Sequence, residues 1–206
     1  MSTNNIIIKN TNKRVFDIVC SFIGIIILFP FFILISVLII IDSKGGVFYR
    51  QVRVGKNNKD FFLLKFRTMQ TGADKKGLLT VGSRDSRVTR IGYYLRKYKL
   101  DELPQLFNVL FGSMSLVGPR PEVRKYVDLY TPQQKRVLYV KPGITDFASI
   151  EYVNENEILA KSTNPEQTYI NEIMPHKLSL NLKYIEQQGF ITDLSIIFRT
   201  IAKIVA

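Results

Sequence analysis

Residues 18–41 read IVCSFIGIIILFPFFILISVLIII, 24 positions without a charge between Asp17 and Asp42. An apolar run of about 18 residues or more reads as a membrane helix. It is longer than the apolar core of a secretory signal, and the IIIDSKGG that ends it offers no small-x-small cleavage site. Two details complicate a simple span. Pro30 sits in the middle, where it removes a backbone hydrogen bond and kinks or breaks a helix. Both flanks are also basic: Lys9, Lys13 and Arg14 before the run, Lys44, Arg50, Arg53 and Lys56 after it. A spanning helix usually shows an asymmetry of Lys and Arg between its sides. Cations at both ends suit a re-entrant helix that bends near Pro30 and returns to the same face. A kinked single span accommodates the same proline, because neighbours can re-satisfy the freed carbonyl.

The remaining composition narrows the partners. The chain has 206 residues, 29 Lys plus Arg against 17 Asp plus Glu, and a formal charge of +12. Such a balance points to a polyanion: nucleic acid, an anionic membrane face or a phosphorylated substrate. With 46% hydrophobic residues there is material for a packed core. Cys20 is the only cysteine, which excludes an intrachain disulfide and a cysteine-rich zinc site. His176 is the only histidine, which argues against a multi-histidine metal site or a Ser-His-Asp triad. Catalysis would rest on carboxylates, Lys, Arg or Tyr, with His176 as a single further group.

Beyond the apolar run, GVFYRQVRVG and DFFLLKFRTM read as two strands around the turn-forming GKNNK. Residues 71–87, rich in Gly, Asp, Ser and Lys, read as a surface loop. RVTRIGYYLRKY carries Val88, Ile91, Leu95 and Tyr98 near helical spacing. A second helix is expected to begin near Asp101, since Pro104 is acceptable only in a first turn. FGSMSLVGPRPE and VKPGITDF read as loops. Short helices are expected near 123–130 and 132–139, and longer ones within 165–188 and 191–205. In the last, Leu194, Ile197, Phe198, Ile201 and Ile204–Val205 form one apolar stripe, which either packs on the core or lies at the membrane surface, packing being the preferred reading.

The chemistry concentrates in KYKLDELPQLFNVL (97–110). Asp101 and Glu102 stand side by side after Arg90, Arg96, Lys97 and Lys99, and the next charge after Glu102 is Arg120. An acidic pair before a helix commonly serves as a cap and a partner for the helix dipole. The same pair can divide catalytic labour: an aspartate can attack phosphorus, and a glutamate is a hard oxygen ligand suited to Mg²⁺. Arg120 lies between Pro119 and Pro121, and Lys65 and Arg67 emerge at the end of the second strand. Lys141 precedes the Pro142–Gly143 turn. Cations fixed in this way suit phosphate binding, and phosphoryl transfer needs positive groups on the developing charge.

With SLVGPRPE and LDELPQLFNVL read together, the chain resembles the monotopic polyprenyl-phosphate phosphoglycosyl transferases, the bacterial sugar transferase family. The resemblance runs through KRVFDIVCSFIGIIILFP, RQVRVG, KFRTM, the stretch 89–122 and KPGIT, and covers most of the chain. It implies an α/β mixed, mainly helical fold: a membrane-inserted re-entrant helix over 1–44 with its break at Pro30, and one compact cytoplasmic catalytic domain over 45–206 with a short β-hairpin. It implies transfer of a sugar-1-phosphate from a UDP-sugar to undecaprenyl (polyprenyl) phosphate with release of UMP, as the first membrane step of surface glycan or glycoconjugate assembly. It implies location at the bacterial inner membrane, in one leaflet, with catalysis on the cytoplasmic face. By the same resemblance Asp101 is the nucleophile that becomes phosphoglycosylated, and Glu102 helps bind Mg²⁺. Arg96 and Arg120 bind phosphate or nucleotide, with Lys65 and Lys141 as further substrate-binding cations.

Two departures stand out. Family members often carry Ser-Pro at the helix break, where this chain has Phe29-Pro30. Many continue PGITG, where this chain has Asp146, and that leaves the sugar-specificity role of 143–165 open. A membrane-anchored basic adaptor would explain the charge and the anchor but not the acidic pair with Arg96 and the proline-fenced Arg120. A catalytically degenerate scaffold of a glycan pathway is opposed by the intact pair. Nucleic acid is not an expected partner, since the aromatics read as largely interior rather than as stacking platforms. The sugar is not readable from the sequence, and assembly into a homo-oligomer stays open.

Overall fold

In a computed structural model that describes residues 3–73 and 85–205, the apolar run lies within one long helix, α1 (Thr3–Asp42). At 1.5 Å per residue its 40 residues extend about 60 Å. Pro30 lies inside α1 without interrupting it. Among the described residues α1 is the one helix long and apolar enough to cross a membrane, and only 17% of its most apolar window is buried. Phe22, Ile26, Ile27, Phe29, Ile33 and Ile40 are exposed.

The other face of α1 is fastened to the domain on both sides of the apolar run. Before the run, Arg14 donates through Nη1 to the Val109 carbonyl at 2.6 Å and through Nη2 to that of Leu110 at 2.8 Å. These are last-turn acceptors of α3 (Gln105–Phe111); the Val109 carbonyl also accepts from the Gly112 amide at the helix cap. Asp17, fully buried, accepts from Ser115 Oγ at 3.1 Å and the Leu116 amide at 3.0 Å. Midway, Phe32, Ile35 and Ile39 bury against Phe66 and Leu95. At the far end, Asp42 accepts from the Ile91 amide at 3.0 Å, in the first turn of α2 (Arg90–Lys97). Arg67 is buried and bonded to the carbonyls of Ser43, Lys44, Gly45 and Gly46 and to the Ser43 hydroxyl. Its fork closes the chain segment that leaves α1, so its guanidinium is engaged by protein rather than free for phosphate.

The hairpin forms as expected: β1 (Phe48–Val54) pairs antiparallel with β2 (Asp60–Phe66), Phe48 opposite Phe66 and Val54 opposite Asp60. Asn57 and Asn58 take left-handed backbone in the turn, which asparagine tolerates better than most residues. The expectation of loops at 111–122 and 140–147 is corrected. β3 (Ser115–Val117) and β4 (Gly143–Thr145) form a parallel pair, Ser115 opposite Gly143 and Val117 opposite Thr145. A Cβ on Gly143 would lie 2.1 Å from the Gly118 amide nitrogen, so only glycine permits this approach.

Short helices α4 (Arg124–Val127), α5 (Phe147–Glu151) and α6 (Glu155–Ala160) follow, with a 3₁₀ turn at Gln134–Tyr139 in place of the helix expected at 132–139. The stretch 165–186 is helical throughout: α7 (Pro165–Thr168), a π turn at Tyr169–Ile173, then α8 (Met174–Glu186). The main core joins Val54, Tyr126, Val127, Val137, Tyr169, Ile173 and Leu178. In α9 (Phe190–Val205) the buried line is not the expected stripe: Asp193 and Ile196 are buried, while Phe198 and Ile201 are exposed. Polar anchors shift the rotation. Asp193 accepts from Lys13 at 2.5 Å and from the Tyr184 hydroxyl at 2.8 Å, and the Thr200 and Thr145 hydroxyls lie 2.6 Å apart. Residues 74–84 of the loop expected at 71–87 lie outside the described residues.

The Arg67 fork gives the first prediction. Arg67→Lys keeps the charge but cannot reach four successive carbonyls, and hydrogen bonds to a charged group are worth about 1.5–3 kcal/mol each before non-additivity. The variant should unfold several degrees lower in thermal melts of the detergent-solubilised chain. An unchanged melting temperature would mean that the fork adds nothing that water cannot supply.

Candidate active site

Asp101 and Glu102 do not open α3, as the sequence suggested. They occupy a 3₁₀ turn, Leu100–Glu102, between α2 and α3, and Pro104 stands at the cap of α3. The turn follows Lys99, whose φ of 56° is left-handed and uncommon for a lysine. That reversal directs both carboxylates inward, where the end of β2 and the loop after β3 meet them.

The two carboxylates are held differently. Glu102 accepts from Arg120 through both of its oxygens, Nη1 to Oε2 at 2.9 Å and Nη2 to Oε1, and Lys65 Nζ reaches Oε1 at 3.0 Å. Burial alone would raise the Glu102 carboxyl, but the Arg120 guanidinium and Lys65 ammonium outweigh it and hold it well below the usual range. The pairing in turn raises the Arg120 guanidinium. Asp101 is 6% exposed, and its carboxylate makes no hydrogen bond among the described residues; its one ion pair is with Lys65, at 3.9 Å. Burial lifts the Asp101 carboxyl above the ordinary aspartate range against the pull of Lys65, and the neighbouring Glu102 charge lifts it further. One carboxylate is therefore fixed and ionised. The other is desolvated and unencumbered, the condition that favours attack on an electrophile.

Both line a cavity of about 990 Å³, together with Lys65, Arg96, Lys99 and Arg120. Cationic side chains placed around the two carboxylates suit a phosphate group. Arg96 is oriented by a 3.0 Å bond from Nε to Thr68 Oγ1, and burial lowers its guanidinium although Asp101 and Asp85 draw it the other way. Lys99 appeared in the sequence only as part of a basic run. Burial lowers its ammonium, and Arg120 and Lys65 add to the effect. Its left-handed backbone, which is what brings it here, has no sequence signature.

The structure gathers Asp101, Glu102, Lys65, Arg96 and Arg120 and leaves Lys141 apart. Lys141 does not line the cavity; it lies by Gly112 and Arg14 at the start of α1, where burial and then Arg14 lower its ammonium. Asp146, by contrast, enters the site's framework. Fully buried, it accepts from the Arg120 amide at 2.9 Å and from the Ser149 amide at 2.6 Å, capping α5. No group of three or more His, Cys, Asp or Glu side chains able to hold a metal occurs among the described residues. In the cavity the dyad supplies two adjacent carboxylates; Glu122 and Glu155, which also line it, are paired with Arg53 and Lys177.

A family model described as bacterial sugar transferase matches residues 8–206. An N-acetylgalactosaminephosphotransferase of Aeromonas hydrophila, named for UDP-N-acetylgalactosamine and undecaprenyl phosphate, is 37% identical over 195 residues, covering 93% of this chain and 43% of that protein. A Klebsiella pneumoniae glucose-1-phosphate transferase, named for UDP-glucose and undecaprenyl phosphate, is 36% identical over 195 residues, covering 93% of this chain and 39% of that protein. This chain therefore spans less than half the length of those two relatives. The uncharacterized sugar transferase EpsL of Bacillus subtilis (strain 168) is 38% identical over 193 residues, covering 93% of this chain and 86% of that protein. A match of that extent, on a framework that buries one carboxylate against Arg120 and leaves its neighbour free, means that the chain belongs to the bacterial sugar transferase family.

Proposed function

We propose that this chain transfers a sugar-1-phosphate from a UDP-sugar to undecaprenyl phosphate and releases UMP through a covalent intermediate on Asp101. The observation that carries the reading is the asymmetry of the dyad: a doubly paired Glu102 beside a buried Asp101 carboxylate that makes no hydrogen bond among the described residues and meets Lys65 only at 3.9 Å. The relatives' names supply the donor and acceptor classes. An Asp101 oxygen attacks the β-phosphorus, the bond to the bridging oxygen breaks, and UMP leaves with that oxygen. An oxygen of the polyprenyl phosphate then attacks the same phosphorus, the acyl phosphate bond breaks, and Asp101 regains its carboxylate. Lys65, Arg96, Lys99 and Arg120 offset the charge that develops on the equatorial oxygens. A non-catalytic adaptor leaves the buried, unbonded Asp101 carboxylate without a reason.

Mg²⁺ fits as an ion shared with substrate. Glu102 uses three of its roughly four acceptor positions on Arg120 and Lys65. One remains, on a residue that lines the cavity next to Asp101 in the chain, and magnesium is commonly held by one or two carboxylates plus substrate phosphates. Bound there, it would neutralise charge on the diphosphate.

The membrane reading is a re-entrant α1 in one leaflet of the inner membrane, with the domain on the cytoplasmic face. It is supported by ties on both sides of the apolar run. Arg14 and Asp17, just before the run, and Asp42, just after it, are fastened to the same domain, whereas a straight crossing would set them on opposite sides. Cysteines replacing Asn12 and Lys44, in a Cys20→Ser background, should both resist an impermeant thiol reagent in intact cells. Labelling of one site alone would identify a spanning helix.

Turnover and stability should separate the two carboxylates. Asp101→Asn should abolish UMP release from the donor yet melt no lower than the parent, because it removes a buried charge whose pKa is raised and whose ionisation therefore opposes folding at neutral pH. Glu102→Gln should lose most activity and also stability. Breaking a buried pair costs about 3–5 kcal/mol, toward the lower end here because Arg120 keeps 31% of its side chain exposed. EDTA should stop UMP release and Mg²⁺ restore it. Substantial turnover by Asp101→Asn would refute the reading.

A further inference from the structure

Two polar atoms on the cavity wall formed by α5 and α8 are buried and unpaired. Asn181, on α8, is 4% exposed and its Oδ1 has no hydrogen-bond partner among the described residues; Ser149 Oγ, in α5, is likewise buried without one among them. Leaving such a group unsatisfied costs about 1–3 kcal/mol. Folded proteins keep few of them, and each calls for a reason such as a ligand. Both residues line the cavity that holds the dyad.

Their distance from the phosphate end is set by Asp146. Its carboxylate accepts from the amides of Arg120 and Ser149 together, so Ser149 lies within one carboxylate's reach of the backbone that carries Arg120. Asn181 adjoins the same place, since with Arg120, Pro121 and Glu122 it also lines a small side cavity. Of the charges near this wall, Lys177 bonds Glu155 at 2.7 Å and Arg53 bonds Glu122 at 2.9 Å. Charged groups gather around the dyad, and Asn181 and Ser149 place neutral donors and acceptors near Arg120. A ligand complementary to both has a phosphate attached to an uncharged group rich in hydroxyls or amides.

We propose that Asn181 and Ser149 form the subsite for the uncharged, hydrogen-bonding part of the nucleoside diphosphate sugar that lies next to the phosphate at Arg120. That part is the sugar's hydroxyl or acetamido groups, or the amide edge of the uracil. The inference rests on the function proposed above. Asn181 brings an acceptor and two donors and Ser149 a group of either kind, a set matched to either moiety. Asp146, the residue at which this chain departs from the family's glycine, is the strut that sets the subsite against Arg120.

The test compares the parent chain with Asn181→Leu and Ser149→Ala in detergent, by thermal melting, by kcat/KM over a panel of UDP-sugars, and by inhibition with UMP. Replacing an unpaired buried amide by an apolar side chain is near neutral or stabilising, so Asn181→Leu should melt at or above the parent temperature. Its kcat/KM for the preferred donor should fall on the order of ten- to hundredfold, and that of Ser149→Ala somewhat less. If the subsite reads the sugar, discrimination between UDP-sugars collapses and UMP inhibition is unchanged. If it reads uracil, UMP inhibition weakens by the same factor for every donor. Parent-like kinetics in both variants overturn the proposal. So does a collapse of the Asn181→Leu fold, provided that Ser149→Ala keeps parent kinetics, because Asn181 would then be an internal structural group. A parent chain that releases no UMP from any donor fails the broader reading instead. The subsite is then judged by the melting shifts that UMP and UDP-sugars induce, which need no turnover, and equal shifts in parent and variants overturn it.

Discussion

The fork between Arg120 and Glu102 is the constraint around which the site is arranged. A carboxylate out of water is tolerated only when cations and hydrogen bonds replace its hydration, and Glu102 obtains both from Arg120 and Lys65. Each partner comes from a different part of the chain. Lys65 needs the β1–β2 hairpin to end beside the 3₁₀ turn, and Arg120 needs β3 to lie against β4. The parallel pair requires glycine at 143, and Asp146, just after β4, fixes the Arg120 amide. The Asp101 carboxylate is left out of this network and faces the cavity without a hydrogen bond. Its stability cost and its proposed reactivity have one origin.

The apolar helix belongs to the same construction. Its exposed face is apolar, but its inner face carries the charges that fasten α3, β3, α2 and α9 to it: Arg14, Asp17, Asp42 and Lys13. α3 begins just after the dyad and ends on Arg14. The position of the helix therefore bears on the position of the carboxylates, and an exposed apolar face and the cavity that holds the dyad are parts of one folded unit.

Much of this was legible in the sequence because the signals were local. The uncharged run, the hairpin around GKNNK, the acidic pair among cations and the proline-fenced Arg120 are each contained in one continuous stretch of chain. The features that escaped depend on distant partners. β3 and β4 are three residues each, too short for a period of two to register, and they pair across 25 intervening residues. Lys141 and Arg67 looked like phosphate ligands because a basic side chain near a turn has the same sequence signature whether it meets substrate or backbone. Arg67 closes the end of α1, and Lys141 sits beside Arg14. Lys99 went unassigned because a left-handed lysine cannot be read from composition. In α9, Asp193 and Thr200 set which side faces inward, overriding the apolar stripe.

The central claim is a division of labour within the dyad: Glu102 is held, and Asp101 reacts. The most direct measurement is mass-spectrometric mapping of the chain after incubation with its UDP-sugar and Mg²⁺ in the absence of polyprenyl phosphate. The account predicts the mass of one sugar phosphate on the peptide that contains the dyad, fragment ions that assign it to Asp101, and its loss when polyprenyl phosphate is added. An adduct on Glu102, or full transfer with no adduct at any time, would contradict it.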